Sequence, residues 1–122
     1  WVLCDRYTDA SFAYQGGGRG IESGRIAELE RWAAGLQPDL SFLLDLPVAD
    51  GLKRASGRSA PDRIESESAL FFERVRSAYR QRAAQQPARW CVIDASQSAE
   101  AVAMEVTAAL LRFVSARCER AT

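Results

Sequence analysis

Three short apolar runs alternate with longer amphipathic stretches along this chain. The runs are Trp1–Cys4, Leu40–Leu44 and Trp90–Ile93, and an aspartate directly follows each of them. Because both faces of each run are apolar, the runs are typical of buried parallel strands. Strands that alternate with helices predict an α/β fold, in which crossover helices connect the strands of a parallel sheet.

The amphipathic stretches predict the helices of this fold. One helix covers about Glu22–Ala34, where apolar residues recur at helical spacing, and Gly35 offers a C-cap. A short helix begins at Pro47, which suits a first helical turn. A long helix extends over about Ser66–Gln86, and a final helix begins near Ser98, a suitable N-cap.

Two segments between these elements are rich in glycine and arginine. The first, Gln15–Gly20, matches neither the GxGxxG nor the GxxxxGK[ST] pattern. A flexible turn and a direct ligand contact are therefore equally compatible with it. The second, Ser56–Arg63, is polar and punctuated by Gly and Pro, so we expect a mobile loop there.

Composition and charge narrow the class of protein. A length of 122 residues suits a single domain over residues 1–122. The 16 basic and 16 acidic residues cancel, which argues against a protein that mainly coats nucleic acid or an anionic membrane. No apolar run is long enough to span a bilayer, and no signal peptide is evident. We expect a cytoplasmic protein without nucleic-acid or membrane partners.

Cysteine and histidine usage excludes several kinds of site. The 3 cysteines are far apart and odd in number, so they fit neither a disulfide framework nor a zinc site. This pattern is compatible with a reducing compartment. The chain contains 0 histidines, which excludes catalysis by Ser-His-Asp or Cys-His groups.

The aspartates that follow the predicted strands mark one edge of the predicted sheet. Ligands of open parallel sheets bind outside the carboxyl ends of the strands, where Asp5, Asp45 and Asp94 would lie. For Asp45 and Asp94, a role as a turn or loop cap is the more common explanation. Asp5 differs because Arg6 and Tyr7 follow it directly, which adds a guanidinium and a ring.

Arginine is the dominant basic residue. Lys53 is the only lysine among the 16 basic residues, and a base-composition bias explains most of the arginines. However, Arg6, Arg54, Arg58 and Arg63 lie in loops or at element ends that would face the same edge. Guanidinium groups bind phosphate oxygens in bidentate fashion, and phosphoryl transfer requires such charges.

Several segments together resemble the thymidylate kinases. Val2–Gly20, which contains the sequences DRY and AYQGGGRG, closely resembles the signature of that family. Phe42–Pro47, Asp62–Glu65 and Val92–Ser96 agree in order with later family segments, the last being similar to its final strand and adenine-side loop. Ala10 departs from the pattern, since the family more commonly has serine there.

The resemblance implies a fold and an activity. The fold would be part of the P-loop nucleoside monophosphate kinase fold, with a lid at about residues 54–65. The activity would be the ATP-dependent, Mg²⁺-assisted phosphorylation of thymidine monophosphate (dTMP) to dTDP, in dTTP biosynthesis. Thymidylate kinases carry an N-terminal Walker A loop, and this chain begins at Trp1 within a predicted strand. We therefore expect the C-terminal part of the enzyme, inactive alone and homodimeric in the full-length protein.

On the acceptor side, the resemblance implies roles for five residues. Arg6 would hold the phosphate of dTMP, and Asp5 would help to organise Mg²⁺. Ser11 and Gln15 would face the thymine base. Tyr14 would pack on the deoxyribose and crowd a 2′-hydroxyl, although a tyrosine can also simply cover a hydrophobic edge.

On the ATP side, the resemblance implies a second set of residues. Arg58 and Arg63 would close over the triphosphate and stabilise the transferring phosphoryl group. Arg54 would flank the adenine, and the backbone near Ser96 and Gln97 would contact the edge of the base. Arg63 is equally compatible with an ion pair at a helix start.

Two other functions remain open from the sequence. A non-catalytic nucleotide-binding module would never have had a phosphate loop, but the start within a predicted strand disfavours it. A related deoxynucleoside kinase is disfavoured by the block from Asp5 to Gln15. The upstream coding sequence would distinguish these functions, since a Walker A loop about 80 to 90 residues earlier would support the kinase.

Overall fold

The computed structural model describes the backbone of residues 1–56 and 63–119 and the side chains of residues 1–55 and 68–119. Arg58 and the side chain of Arg63, both predicted to be catalytic, lie outside this part. The elements in chain order are α1 (Thr8–Ser11), a π-helix (Phe12–Gly18), α2 (Ser23–Ala33), β1 (Ser41–Asp45), α3 (Val48–Ser56), α4 (Arg63–Gln85), β2 (Trp90–Asp94) and α5 (Ala99–Glu119).

Strands β1 and β2 pair in parallel, as the sequence predicts for their apolar runs. Their register aligns Ser41 with Trp90 and Asp45 with Asp94. Helices α3 and α4 form the crossover between them. Ile93 of β2 is only 2% exposed, which makes it one of the most deeply buried side chains of the core. The predicted α/β arrangement is therefore confirmed for this region.

The predicted strand Trp1–Cys4 is wrong. In the described part of the chain the sheet has two strands, β1 and β2, and residues 1–4 pair with neither. Trp1, Val2 and Leu3 are 91%, 96% and 100% exposed. An apolar run forms a strand only where a neighbouring backbone offers hydrogen-bond partners, and neither of the two described strands pairs with these residues. Consequently, Asp5 does not follow a strand of this sheet.

The predicted helices are confirmed, with small shifts at their ends. Gly35 adopts a positive φ of 63° directly after α2, as expected for a C-cap glycine. The Oγ of Ser98 accepts a hydrogen bond from the backbone N–H of Ala101 at 3.2 Å, which caps α5. Among the described residues, no helix is long and apolar enough to cross a membrane.

The glycine-rich segment Gln15–Gly20 is mostly helical, which argues against the flexible turn, one of the two interpretations that the sequence leaves open. Residues Phe12–Gly18 form a π-helix that continues directly from α1. The backbone N–H of Arg19 donates to the C=O of Tyr14 at 3.0 Å, a spacing of five residues. π-helical turns are rare and occur frequently at functional sites.

Two glycines of the π-helix allow α4 to approach its backbone closely. A Cβ on Gly17 would lie 2.6 Å from the Cβ of Ala78, and a Cβ on Gly18 would lie 2.5 Å from the ring of Phe71. The guanidinium of Arg74 donates to the C=O of Gly18 at 3.2 and 3.3 Å. The glycines are thus required by packing against α4, because any larger side chain would collide with that helix.

Candidate functional site

Arg6 and Tyr14 lie together, as the resemblance implies for the acceptor side. The guanidinium carbon of Arg6 lies 5.4 Å from the centroid of the Tyr14 ring, which is within cation–π range. The backbone of Arg6 has a φ of +56°, an uncommon conformation for a residue other than glycine. Such strained backbone clusters at active sites and ligand clamps, so Arg6 is a strong candidate for a ligand contact.

The other predicted acceptor-side residues belong to the same segment. Ser11 ends α1 and is exposed, whereas Gln15 lies four residues later in the π-helix and is half-buried. Asp5 is exposed and directly precedes Arg6. A carboxylate, a guanidinium, a hydroxyl, a ring and an amide therefore occur within eleven residues, on a turn followed by continuous helix. This set could bind an anionic ligand that also has a polar, flat group.

Tyr14 is flanked by two aromatic residues of α4. Its ring centroid lies 6.1 Å from that of Phe71 and 6.4 Å from that of Tyr79, the latter at an interplanar angle of 83°. Burial raises the pKa of Tyr79 to about 12. Sequence reasoning missed the contact of Phe71 and Tyr79 with Tyr14. Their spacing of eight residues was a signal that they share one helix face.

Asp9 forms a buried ionic cluster that sequence reasoning missed. It is 5% exposed and accepts hydrogen bonds from Arg82 at 2.7 Å and from Arg89 at 2.7 and 2.8 Å. Burial raises the pKa of Asp9, but the bonds from Arg89 and Arg82 outweigh this effect, and the net pKa is lowered. Because Arg82 belongs to α4, the cluster ties α1 to α4 and holds the chain three residues after Arg6.

Arg54 of α3 contacts the loop that follows β2. It donates to the C=O of Ala95 at 2.9 Å and to the C=O of Ser96 at 3.4 Å. The side-chain amide of Gln97 donates to Glu105 at 2.8 Å. The structure thus brings together the three residues to which the resemblance assigns adenine contacts, namely Arg54, Ser96 and Gln97.

Both aspartates at the ends of the strands are hydrogen-bonded within the protein. Asp94 caps a turn, in agreement with the more common explanation given above, whereas Asp45 pairs with an arginine of α4 instead. Asp45 accepts hydrogen bonds from Arg76 at 2.7 and 3.0 Å, and these bonds hold the pKa of Asp45 below its usual value. Asp94 accepts a hydrogen bond from the backbone N–H of Ser96 at 2.8 Å, and hydrogen bonds from Ser96 lower the pKa of Asp94. Each carboxylate is therefore hydrogen-bonded within the protein, and neither needs a bound ligand to stabilise its negative charge.

The carboxylates of the described residues do not form a protein-only metal cage. No group of three or more His, Cys, Asp or Glu side chains that could hold a metal ion occurs in the part of the chain described. Mg²⁺ in nucleotide sites uses one or two carboxylates together with phosphates and water. The carboxylate of Asp5 is exposed and directly precedes Arg6, so it fits a nucleotide site of this kind.

Comparison with protein families identifies a match over most of the chain. A family model described as thymidylate kinase matches residues 1–106. A thymidylate kinase of Cupriavidus pinatubonensis is 53% identical over 107 residues, which are 87% of this chain and 53% of the relative. One from Pseudomonas putida GB-1 is 53% identical over 118 residues, which are 96% of this chain and 56% of the relative.

A solved structure has a similar fold. The crystal structure of a thymidylate kinase from Ehrlichia chaffeensis superposes with a TM-score of 0.65 and 28% sequence identity, over 88% of this chain and 49% of that one. This likeness confirms the α/β fold class. The chain spans about half the length of the curated relatives that it matches.

Proposed function

We propose that a protein carrying this chain, which belongs to the thymidylate kinase family, transfers the γ-phosphoryl group of ATP to dTMP. A phosphate oxygen of dTMP forms a bond to the γ-phosphorus while the bond from that phosphorus to ADP breaks, and the products are dTDP and ADP. The arrangement that carries this proposal is Arg6 over the ring of Tyr14, on strained backbone within the matched segment.

The acceptor nucleotide would bind along the turn and the π-helix. The guanidinium of Arg6 suits the dianionic phosphate of dTMP, to which it can donate two hydrogen bonds. Ser11 and Gln15 would donate and accept hydrogen bonds at the thymine, and Tyr14 would pack on the deoxyribose. The ring of Tyr14 contacts the Arg6 guanidinium and two aromatic rings of α4, and these contacts would restrict its movement away from a 2′-hydroxyl.

The ATP side would comprise Arg54, the loop at Ser96 and Gln97, and the arginines of the lid. The support for the first group is the pair of hydrogen bonds from Arg54 to that loop. For Arg58 and Arg63, the support is the resemblance alone. These arginines would stabilise charge on the transferring group, so the catalysis consists of positioning and electrostatics without a covalent intermediate.

Mg²⁺ is the metal that the family implies, and Asp5 is the residue that would hold it through water. The ion would neutralise charge on the phosphates. Asp5 immediately precedes Arg6, so a single short turn would supply both an anionic and a cationic contact.

The whole protein would be larger than this chain. We propose that the chain is the C-terminal part of a cytoplasmic, homodimeric enzyme whose other half carries the phosphate-binding loop. The support is that the chain spans about half of its relatives. The 122-residue chain alone should therefore show turnover more than about a hundredfold below that of a full-length homologue in a coupled assay with dTMP, ATP and Mg²⁺.

Two substitutions test the proposed roles in a protein that carries this chain together with a phosphate-binding loop. Arg6→Ala should mainly raise the KM for dTMP, because its contact exists before and during transfer. Arg58→Ala should mainly lower kcat, by about 10³-fold, by analogy with arginine fingers.

A matched control and two outcomes make this test decisive. Arg25→Ala should leave both constants unchanged, since the Arg25 side chain is 81% exposed and pairs with Glu22, the N-cap residue of α2. An unchanged KM for dTMP in Arg6→Ala would remove Arg6 from the acceptor site. Phosphorylation of thymidine, with none of dTMP, would instead identify a deoxynucleoside kinase.

A further inference from the structure

The ring of Tyr14 is contacted on several sides by residues from other elements. Arg6 lies 5.4 Å from its centroid, the Phe71 ring lies at 6.1 Å with an interplanar angle of 54°, and the Tyr79 ring lies at 6.4 Å and 83°. The contact with Tyr79 is edge-to-face, a geometry that stabilises one ring orientation over others. Because Phe71 and Tyr79 both belong to α4, one rigid element holds Tyr14 at two points.

Tyr79 is itself held in place from the sheet. Its ring makes a second edge-to-face contact, at 6.4 Å and 70°, with Trp90 at the start of β2. The guanidinium of Arg89 lies 5.1 Å from the Trp90 ring. Burial raises the pKa of Tyr79 to about 12, so its ring stays neutral at physiological pH. The aromatic contacts therefore extend without a gap from β2 through α4 to Tyr14.

The backbone spacing between α4 and the π-helix is fixed independently of these rings. Gly17 and Gly18 leave no room for a side chain against α4. Arg74 of α4 donates two hydrogen bonds to the C=O of Gly18. Hence the distance from Tyr79 to Tyr14 is set by the packing of two helices, and a missing ring at position 79 would leave a gap beside Tyr14 rather than collapse the contact.

We propose that Tyr79 is a positioning residue for sugar selectivity, which holds the ring of Tyr14 edge-on so that it excludes a ribose. This inference rests on the proposed function, since it requires Tyr14 to face the sugar of the acceptor nucleotide. Tyr79 acts through Tyr14 and not on the substrate. A Tyr14 ring free to rotate would open space for a 2′-hydroxyl, whereas a fixed ring would not.

The experiment compares deoxy and ribo acceptors in the protein that carries this chain with a phosphate-binding loop. We would measure kcat/KM for dTMP and for ribothymidine 5′-monophosphate, at saturating ATP and Mg²⁺, in the wild type and in Tyr79→Leu. We expect the deoxy-to-ribo ratio to fall by about tenfold, the size expected for the loss of one oriented aromatic contact. Tyr79→Phe retains the ring and should retain the ratio.

A second pair of variants separates positioning from stability. Phe71→Leu removes the other α4 ring beside Tyr14 and should lower the ratio in the same direction, which tests the inference even if Tyr79→Leu fails to fold. Trp32→Leu is the matched control, because it removes an aromatic ring that is 85% exposed on α2. A purely structural role would lower the melting temperature in these variants without changing the ratio.

The outcomes distinguish this inference from the function on which it rests. A lowered ratio in Tyr79→Leu, with an unchanged ratio in Tyr79→Phe and Trp32→Leu, supports it. A ratio that is unchanged in folded Tyr79→Leu, or in Phe71→Leu where Tyr79→Leu is unfolded, overturns the inference and leaves the kinase assignment intact. A wild-type protein that phosphorylates neither acceptor overturns the proposed function and this inference together.

Discussion

Asp9 shows how a single buried charge organises this part of the fold. Its carboxylate is compensated by Arg82 and Arg89, whose side chains are 13% and 11% exposed. Arg82 also lies 3.6 Å from the centroid of the Phe12 ring, so its charge is covered by an aromatic face as well. The three charged groups are thus mutually dependent, and the removal of one leaves the others buried without sufficient compensation.

We expect Asp9→Asn to destabilise the protein strongly. The substitution leaves two buried guanidinium groups without their carboxylate, which typically costs about 3 to 5 kcal/mol. Urea denaturation would measure the loss in the free energy of unfolding. Asp39→Asn is the matched control, because the side chains of Asp39 and its partner Arg117 are 64% and 48% exposed, and exposed pairs contribute about 1 kcal/mol or less. Equal losses in the two variants would contradict the role of burial.

The lowered pKa of Asp9 also predicts how stability depends on pH. Because the pKa is lower in the folded state than in the unfolded state, the contribution of Asp9 is fully present above about pH 4, the unfolded pKa. It is lost as the pH falls through the folded pKa. The difference in unfolding free energy between wild type and Asp9→Asn should therefore be constant from pH 5 to 8 and shrink below about pH 4. A difference that grows on acidification would contradict the assigned direction.

At the scale of elements, the π-helix and α4 depend on each other through the glycines between them. Gly17→Ala would place a methyl group 2.6 Å from the Cβ of Ala78, which cannot rotate away. We expect a loss of about 1 to 3 kcal/mol in the free energy of unfolding, as is usual for overpacking. Gly24→Ala in α2 is the control, since its nearest neighbour would be a flexible Glu22 oxygen at 3.8 Å, and it should be neutral or stabilising. Chemical denaturation would measure the free energy of unfolding of both variants.

The N-terminus of α5 offers a separate test of local structure. Ser98→Ala removes the oxygen that accepts the hydrogen bond from the N–H of Ala101, and we expect a loss of about 1 kcal/mol. Thr107→Ala is the comparison within the same helix, because the Thr107 hydroxyl only bonds back to the C=O of Ala103 and alanine is the better helix former. In thermal unfolding, Ser98→Ala should therefore have a lower melting temperature than Thr107→Ala. The opposite order would show that Ser98 does not act as a cap.

At the scale of the whole molecule, α4 connects the candidate site to the sheet. It contacts the π-helix, α1, α3 and both strands. Its side chains include Arg82 at Asp9, Arg76 at Asp45 and Tyr79 at Tyr14. A displacement of α4 would therefore change the acceptor side and the sheet edge together.

The molecule also exposes large apolar side chains that ordinary folded proteins bury. Those that are more than half exposed include Trp1, Leu3 and Trp32, and also Leu44 and Val92 on the two strands. Because exposed apolar side chains and open sheet edges favour association, we expect the 122-residue chain alone to bind a hydrophobic dye or to aggregate. Dye fluorescence and light scattering would measure this. A monodisperse monomer with a sharp, reversible thermal transition would contradict the prediction.

Patterns of neighbouring residues are sufficient to predict the local elements and the order of the segments. Apolar runs, the C-cap Gly35 and the N-cap Ser98 act within a few residues, so the helices and the two paired strands could be predicted from neighbouring positions. The family signature was likewise local, since it lies in a continuous segment around Arg6 and Tyr14.

The tertiary structure alone decided the contacts between segments that are distant in the chain. The burial of Asp9 depends on arginines that lie 73 and 80 residues away in the chain. The helical state of the glycine run depends on Ala78 and Phe71 of α4. Residues 1–4 do not form a strand because neither of the two described strands pairs with them. Local patterns carry no information on such partners, because the stability of a strand depends on the cross-strand and same-face neighbours that pack against it. Long-range packing therefore decided which charges were compensated and which apolar runs were paired.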